Sequence, residues 1–283
     1  MIRHRFRYER PDTLAEAAAI LATAGSQARV LGGGSVLIPA LFAGEDEASL
    51  VLDPARLGLD RIVDRGDTVA IGARATYAAL TASDVIRRRL PLLATMVREV
   101  TGGPGLWNLA TLGGAVCYAN PASDGPGCLT ALQARVRLVS SRSERIVPIA
   151  AFLRDAFRTD RQADELVCEF LVPAARRVGA SAYLKLKHGT SSWPIVTASC
   201  LIADTEDGPR LRLCIAGAAP TPIVAESDEG VSLGPDHIAA FARAATARMQ
   251  TEWADELAGP GYRRAVATRM AARAVEMVVG ACR

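Results

Sequence analysis

Residues 29–39 set the tightest limit on what this chain can become. Three consecutive glycines, Gly32 to Gly34, follow a short apolar run (Val30, Leu31), and Ser35 opens a stretch with helical spacing (Leu37, Leu41, Phe42). A strand that passes through a glycine turn into a helix start aims successive backbone N–H groups into one concavity, which suits a phosphate-sized anion. Side chains would fill that concavity, so glycine is the residue type it needs. Most such turns are only turns, however, and the spacing is not the Rossmann pattern of glycines at one, three and six.

A second unusual stretch covers residues 101–127, where seven glycines and three prolines in 27 residues argue against a regular element over most of its length. It carries almost no charge, and an uncharged loop of this length is expected to be covered by a ligand or a partner. Asp124 is its only acidic residue. As a helix cap it would start a helix over 127–134; as a functional group it would accept hydrogen bonds from ligand hydroxyls.

At 283 residues, half of them apolar, the chain can bury a substantial core and is long enough for two domains. Lys and Arg number 33 against 30 Asp and Glu, and the resulting +3 is too small to argue for a nucleic-acid or anionic-membrane partner. The basic head runs into no apolar segment, so neither a secretory signal nor a membrane span is expected, and a cytoplasmic location follows. Six scattered cysteines (Cys117, Cys128, Cys168, Cys200, Cys214, Cys282) form no Cys-x-x-Cys pair, and His4, His188 and His237 are the only histidines. Buried reduced thiols are expected, with little material for a metal site or a Ser-His-Asp triad.

Along the chain, strands are expected over 6–8, 50–52, 68–71, 135–140, 146–148 and 165–173. Helices are expected after a cap at Asp12 or Thr13, with Gly25 closing, and over 79–80, 84–89, 91–100 and 150–157. This alternation suggests an α+β or α/β first domain ending near residue 175, with 174–179 as the boundary. Three strands over 181–186, 194–203 and 211–215 then precede two helices, which suggests a small antiparallel sheet covered on one face. The last helix, over 262–279, places Tyr262, Val266, Met270, Ala274 and Met277 on one apolar stripe, with Arg263, Arg264, Arg269 and Arg273 mostly off it.

Five segments taken together resemble the FAD-binding subunit of the molybdenum hydroxylases, the family of xanthine dehydrogenase and aerobic carbon monoxide dehydrogenase. They are Leu31-Gly32-Gly33-Gly34-Ser35, Thr111-Leu112-Gly113-Gly114, the run from Ala119 through Pro121 to Asp124, Ala182-Tyr183-Leu184-Lys185, and Gly261-Tyr262-Arg263-Arg264. The resemblance implies an α+β FAD-binding domain of the vanillyl-alcohol oxidase and p-cresol methylhydroxylase type over 1–175. A C-terminal domain of a three-stranded antiparallel sheet and a helical bundle over 176–283 would follow. It implies that Leu31 to Val36 hold the FAD pyrophosphate through backbone N–H groups, and that Thr111, Gly113, Gly114 and Ala115 embrace it from the opposite side. Asp124 would accept from ribose hydroxyls near the adenine, and Val167 and Cys168 would line the flavin pocket. Lys185 would stabilise reduced flavin unless it is a solvated strand lysine, and Trp193 would stand beside the isoalloxazine unless it packs in the core. Gly34 and Ala115 depart from the family's usual polar residue and asparagine. Trp107 and Leu109 replace two arginines, and Ser191 and Ser192 replace a Gly-Asp pair.

The same resemblance implies noncovalent FAD, since no histidine lies near either glycine motif. It implies a small subunit with two-iron two-sulfur clusters and a large subunit with molybdenum cofactor as partners, in a dimer of heterotrimers. Electrons would pass from the clusters to FAD and on to NAD or another acceptor. A stand-alone reductase similar to UDP-N-acetylenolpyruvoylglucosamine reductase shares the first motif, and a flavin-free structural subunit is a third reading.

Overall fold

The computed structural model describes residues 4–174, 179–205, 208–227 and 234–282. The chain opens with β1 (Arg7–Glu9), α1 (Leu14–Ala24), β2 (Ala28–Val30), α2 (Leu37–Ala43) and β3 (Leu50–Leu52). Thr13 caps α1 by accepting from the Glu16 N–H at 3.1 Å, and Glu16 accepts in return from the Asp12 N–H, so the local sequence starts this helix unaided. Ala17, Ala18 and Leu21 face inward, and Gly25 closes the helix with φ at 54°. The three strands make a parallel sheet in the order β1-β3-β2.

Next come β4 (Ile62–Asp64), β5 (Thr68–Gly72), α3 (Tyr77–Ala82), α4 (Asp84–Arg89), α5 (Pro91–Glu99), α6 (Gly103–Trp107), α7 (Leu112–Tyr118) and α8 (Asp124–Ala131). They lead into β6 (Arg135–Val139), β7 (Glu144–Pro148), α9 (Ile149–Phe152), β8 (Leu153–Asp155), β9 (Arg158–Thr159) and β10 (Leu166–Pro173). A five-stranded antiparallel sheet in the order β4-β5-β10-β6-β7 places the last of these strands at its centre. Leu92, Leu93, Met96 and Val97 of α5 are buried as their spacing predicts.

Three local expectations fail here for identifiable reasons. Residues 101–127 are mostly helical, because Pro104 sits in the first turn of α6 and Pro126 in that of α8, where a missing N–H costs nothing. Consequently α8 starts at Asp124 rather than 127. The helix expected over 150–157 stops at Phe152, and the chain turns through Phe157 in a left-handed conformation (φ 58°) between β8 and β9.

The chain closes with β11 (Ser181–Lys187), β12 (Pro194–Thr205), β13 (Gly208–Ala216), β14 (Ile223–Glu226), α10 (Pro235–Ala247) and α11 (Pro260–Gly280). The expected three-stranded sheet gains β14 as a short edge strand, hidden in the sequence by Pro220 and Pro222 just before it. The stripe on α11 is rotated from the one expected. Ala267, Ala271, Ala274, Val275, Val278 and Val279 are buried, whereas Tyr262 and Met277 are exposed. Small residues let the helix lie close to the sheet, so volume rather than hydrophobicity alone chose the face. The boundary expected over 174–179 falls largely outside the described residues.

A core that includes Leu92, Phe152, Phe170 and Cys128 fills the N-terminal part and takes in Tyr183 and Cys214 from the C-terminal strands. A second core lies wholly within residues 182–279. Of the six thiols, Cys128, Cys168, Cys200 and Cys214 are buried, Cys117 is half-buried and Cys282 is exposed. No helix among the described residues is long and apolar enough to cross a membrane.

One ion-pair network gives the fold an acid sensitivity. Arg145 donates to Glu165 at 2.6 and 2.8 Å and to Asp160 at 2.6 Å. Burial works to raise the Glu165 carboxyl, but Arg145 and the Gln162 N–H hold it below its ordinary value of 4.5. Arg145 and Arg154 likewise hold Asp160 below 3.8. A carboxylate depressed in the folded state contributes stability that is complete above its unfolded pKa and is lost as pH falls through the folded one. Urea midpoints are therefore expected to fall steeply below pH 4, with a shallower decline in Arg145→Met; parallel curves would remove the network as the cause.

Candidate functional site

The two glycine turns lie against each other. Leu31 ends the first strand pairing by donating its N–H to the Leu52 carbonyl at 2.8 Å, and the chain then leaves the sheet. Gly34 adopts φ 74°, a left-handed conformation that disfavours a side chain, and α2 begins when the Ile38 N–H reaches the Gly34 carbonyl at 3.0 Å. Between these two bonds, the N–H groups of Gly32, Gly33, Gly34, Ser35 and Val36 donate to no acceptor among the described residues. All of these but the exposed Ser35 are half-buried, and half-buried backbone donors are normally paired, so the row marks a place built to receive acceptors from outside the chain.

The second turn forms the facing wall. A Cβ on Gly32 would stand 2.9 Å from the Thr111 hydroxyl, and one on Gly33 would run into the Leu109 carbonyl and stand 3.0 Å from the Ala110 Cα. Thr111 caps α7 by accepting from the Gly114 N–H at 3.0 Å. The Leu112, Gly113 and Ala115 N–H groups donate to Ala75, Ala73 and Thr111 carbonyls at 3.0, 2.9 and 3.1 Å. The N–H groups from Leu112 to Ala115 are thus engaged internally, unlike those of the first turn. Gly113 is required for another reason, since a Cβ there would lie 2.5 Å from the Ala73 oxygen.

Cys168 supports this wall from behind. The Cys168 carbonyl accepts from the Ala73 N–H at 2.9 Å, and Ala73 in turn holds Gly113. The Val167 side chain joins the large core, whereas Cys168 packs with Ala17, Leu21 and Leu50. Burial pushes the Cys168 thiol up to about 12.

Asp124 and Lys185, far apart in sequence, meet in a buried ion pair at 3.0 Å. Ser123 rather than Asp124 is the N-cap of α8, and the Asp124 carboxylate accepts instead from Lys185 and from the Tyr183 hydroxyl. Burial pushes the Asp124 carboxyl above its ordinary value, against the opposing pull of Lys185 and Tyr183. The Lys185 side chain is 2 % exposed, which rules out a solvated strand lysine. Its ammonium group also donates to the Glu99 carbonyl at 2.9 Å and to the Thr101 hydroxyl at 3.1 Å. The Thr101 hydroxyl donates to the Ser192 carbonyl at 3.3 Å, tying the loop of Trp193 to the same cluster. Trp193 is 47 % exposed and so is not a core residue.

Tyr183, Thr101 and the Glu99 carbonyl had no functional role in the sequence reading. The signal for Tyr183 was present: it stands two residues from Lys185, and residues at that spacing on a strand share a face.

A family description, FAD binding domain in molybdopterin dehydrogenase, matches residues 4–175. Carbon monoxide dehydrogenase medium chain from Hydrogenophaga pseudoflava is 31 % identical, with all of both chains covered. The 6-hydroxypseudooxynicotine dehydrogenase complex subunit alpha from Paenarthrobacter nicotinovorans is 30 % identical over 85 % of this chain and 83 % of its own. Among solved structures, a chain of the Hydrogenophaga pseudoflava carbon monoxide dehydrogenase superposes with a TM-score of 0.92 at 29 % identity, covering all of both chains. The donor row of the first turn, the close wall of the second and these likenesses agree: the chain belongs to the FAD-binding medium subunits of the molybdenum hydroxylase family.

Proposed function

We propose that this subunit takes electrons from two-iron two-sulfur clusters of a small subunit onto noncovalent FAD and passes them to NAD or another acceptor. The observation that carries the reading is the row of open N–H groups from Gly32 to Val36 facing the Thr111–Gly114 wall. A diphosphate supplies the acceptors such a row lacks, with no need of a basic side chain. FAD, when bound, supplies the exchange of single electrons for pairs. The residues of this chain bind and orient: the first turn donates, the second turn fixes its shape, and Trp193 stands half-exposed at the approach to the Asp124–Lys185 cluster. Cys168 acts through its carbonyl on Ala73, which holds Gly113.

A division at 175/176 into an FAD-binding and a C-terminal domain accords with a core confined to residues 182–279. The substrate would be hydroxylated at molybdenum cofactor on a large subunit, in a cytoplasmic dimer of heterotrimers. Subunits named medium chain or subunit alpha of a complex support the multi-subunit part of this reading.

The purified protein is expected to carry about one FAD per chain, released into the supernatant by acid precipitation. A flavin-free preparation that takes up no added FAD would overturn the assignment. Flavin that stays with the precipitated protein would overturn only its noncovalent part.

A further inference from the structure

We propose that Arg74 and Asp53 tie the two walls of the glycine cradle together, with Arg74 as a positioning residue that acts on FAD through the fold rather than by contact. This rests on the FAD reading above and adds to it what keeps the binding site closed.

Each wall is carried by a different part of the chain. The first turn leaves the parallel sheet where the Leu31 N–H donates to the Leu52 carbonyl of β3, and Asp53 directly follows that strand. The second turn is held from residues 73–77. There the Ala73 carbonyl accepts from the Gly113 N–H, the Ala75 carbonyl accepts from the Leu112 N–H, and the Tyr77 N–H donates to the Ala110 carbonyl. Arg74 lies between the first two of these carbonyls, and its Nη1 donates to Asp53 Oδ1 at 3.2 Å. One bond thus joins the strand behind the first turn to the segment behind the second.

The glycine contacts cannot take over this role. The close approach of Gly33 to Leu109 limits how near the walls come, but a steric contact opposes compression and not separation. No hydrogen bond runs between residues 31–36 and 109–115 among the described residues. Against separation stand the apolar contacts of Ala17, Leu21, Leu50 and Leu52 with Leu166 and Cys168 of β10, and the Arg74–Asp53 bond. Among the described residues, that bond is the one hydrogen bond between residues 4–53 and residues 73–282.

Asp53 is held ready for its partner. Its Oδ1 also accepts from the Ala55 N–H at 2.9 Å and its Oδ2 accepts from the Tyr8 hydroxyl at 2.5 Å, which fixes the plane of a mostly buried carboxylate. Arg10 approaches Oδ2 at 3.6 Å, but it follows β1 in the sheet of the first wall and so cannot replace a link to the second. The Arg74 side chain is itself only 25 % exposed, so salt screens this charge-assisted bond less than a surface pair.

The test uses the full chain stripped of flavin, with FAD affinity and dissociation rate read by flavin fluorescence well below the melting transition. Arg74→Met and Asp53→Asn are each expected to weaken FAD about ten-fold, mainly through faster dissociation, and the double variant is expected to be no weaker than either, because all three lack the same bond. Melts of the flavin-free proteins are read beside these. A methionine variant that melts lower yet binds FAD like wild type would make the bond a structural one and overturn the proposal. Weakening in Arg74→Met without weakening in Asp53→Asn would instead make Arg74 a direct contact of the cofactor, and losses that add in the double variant would give the two residues separate roles; either would overturn it while leaving FAD binding intact. Failure of the wild-type chain to take up FAD would overturn the FAD reading and this one with it.

Discussion

Gly33→Ala is expected to abolish FAD retention and to lower the stability of the fold by about 3 kcal/mol or more, beyond the usual range for an overpacked site. The new methyl group has no room, because it would run into the carbonyl of Leu109 and press on the Ala110 Cα, both backbone atoms of a segment pinned on either side. Leu109 and Ala110 donate their N–H groups to the Leu106 carbonyl at 3.0 and 2.8 Å, and the Ala110 carbonyl accepts from Tyr77 at 3.1 Å, so this wall cannot retreat cheaply. The strain can only be relieved by separating the two turns, which dismantles the cradle. Gly105→Ala is the control: it lies in α6, nothing stands within 4 Å of where the new methyl group would lie, and alanine there is expected to be neutral or to stabilise by about 0.5–1 kcal/mol. Flavin content after gel filtration and thermal melts of the three proteins decide the point. A Gly33→Ala protein that keeps its FAD and melts with the wild type would show that the two turns do not need their close approach.

Arg263→Met is expected to cost about 3–5 kcal/mol, as for breaking a buried, hydrogen-bonded charge pair. Arg263 is fully buried, and its guanidinium donates to the Ile195, Gly217 and Ala258 carbonyls and to the Asp255 carboxylate. It therefore joins the start of β12, the end of β13 and the loop before α11 at one point. Methionine fills much of the volume but takes the Arg263 donors from the buried Ile195 and Gly217 carbonyls and the counter-charge from Asp255, whose carboxylate keeps only the Leu257 and Ala258 N–H groups and the Trp253 ring N–H. Arg263→Lys is expected to recover only a small part of the loss, because three donors on one atom cannot reproduce the planar fork. Urea midpoints of the variants at neutral pH test this, and a Met variant within about 1 kcal/mol of wild type would reduce Arg263 to a replaceable filler.

These two positions show how differently the sequence disclosed its contents. Gly33 was legible as part of a glycine turn that side chains would fill, although the turn by itself did not say what comes close to it. Arg263 was legible as part of a family motif, yet helical periodicity set it off the apolar stripe. Its burial came from carbonyls on strands 46 and 68 residues away. No pattern within one helix reports where such acceptors will be. Trp193 is a similar case, because tryptophan suits both a core and an exposed ring, and only the packed loop placed it in the open.

The sequence by itself determined what depends on neighbours within a turn or two. The Thr13 cap, the Gly25 stop, Pro91 at the start of α5 and the glycine turn after β2 all rest on contacts of about four residues or fewer. Tertiary structure alone decided which distant groups meet. Asp124 and Lys185 are 61 residues apart in the chain, and Tyr183 and Asp124 are 59 apart. Packing the C-terminal sheet against α8 turned a carboxylate readable as a cap and a lysine readable as solvated into one buried pair. A buried charge is tolerated only where the fold supplies its counterpart, and that supply is a property of the assembled sheet and helices rather than of any local stretch.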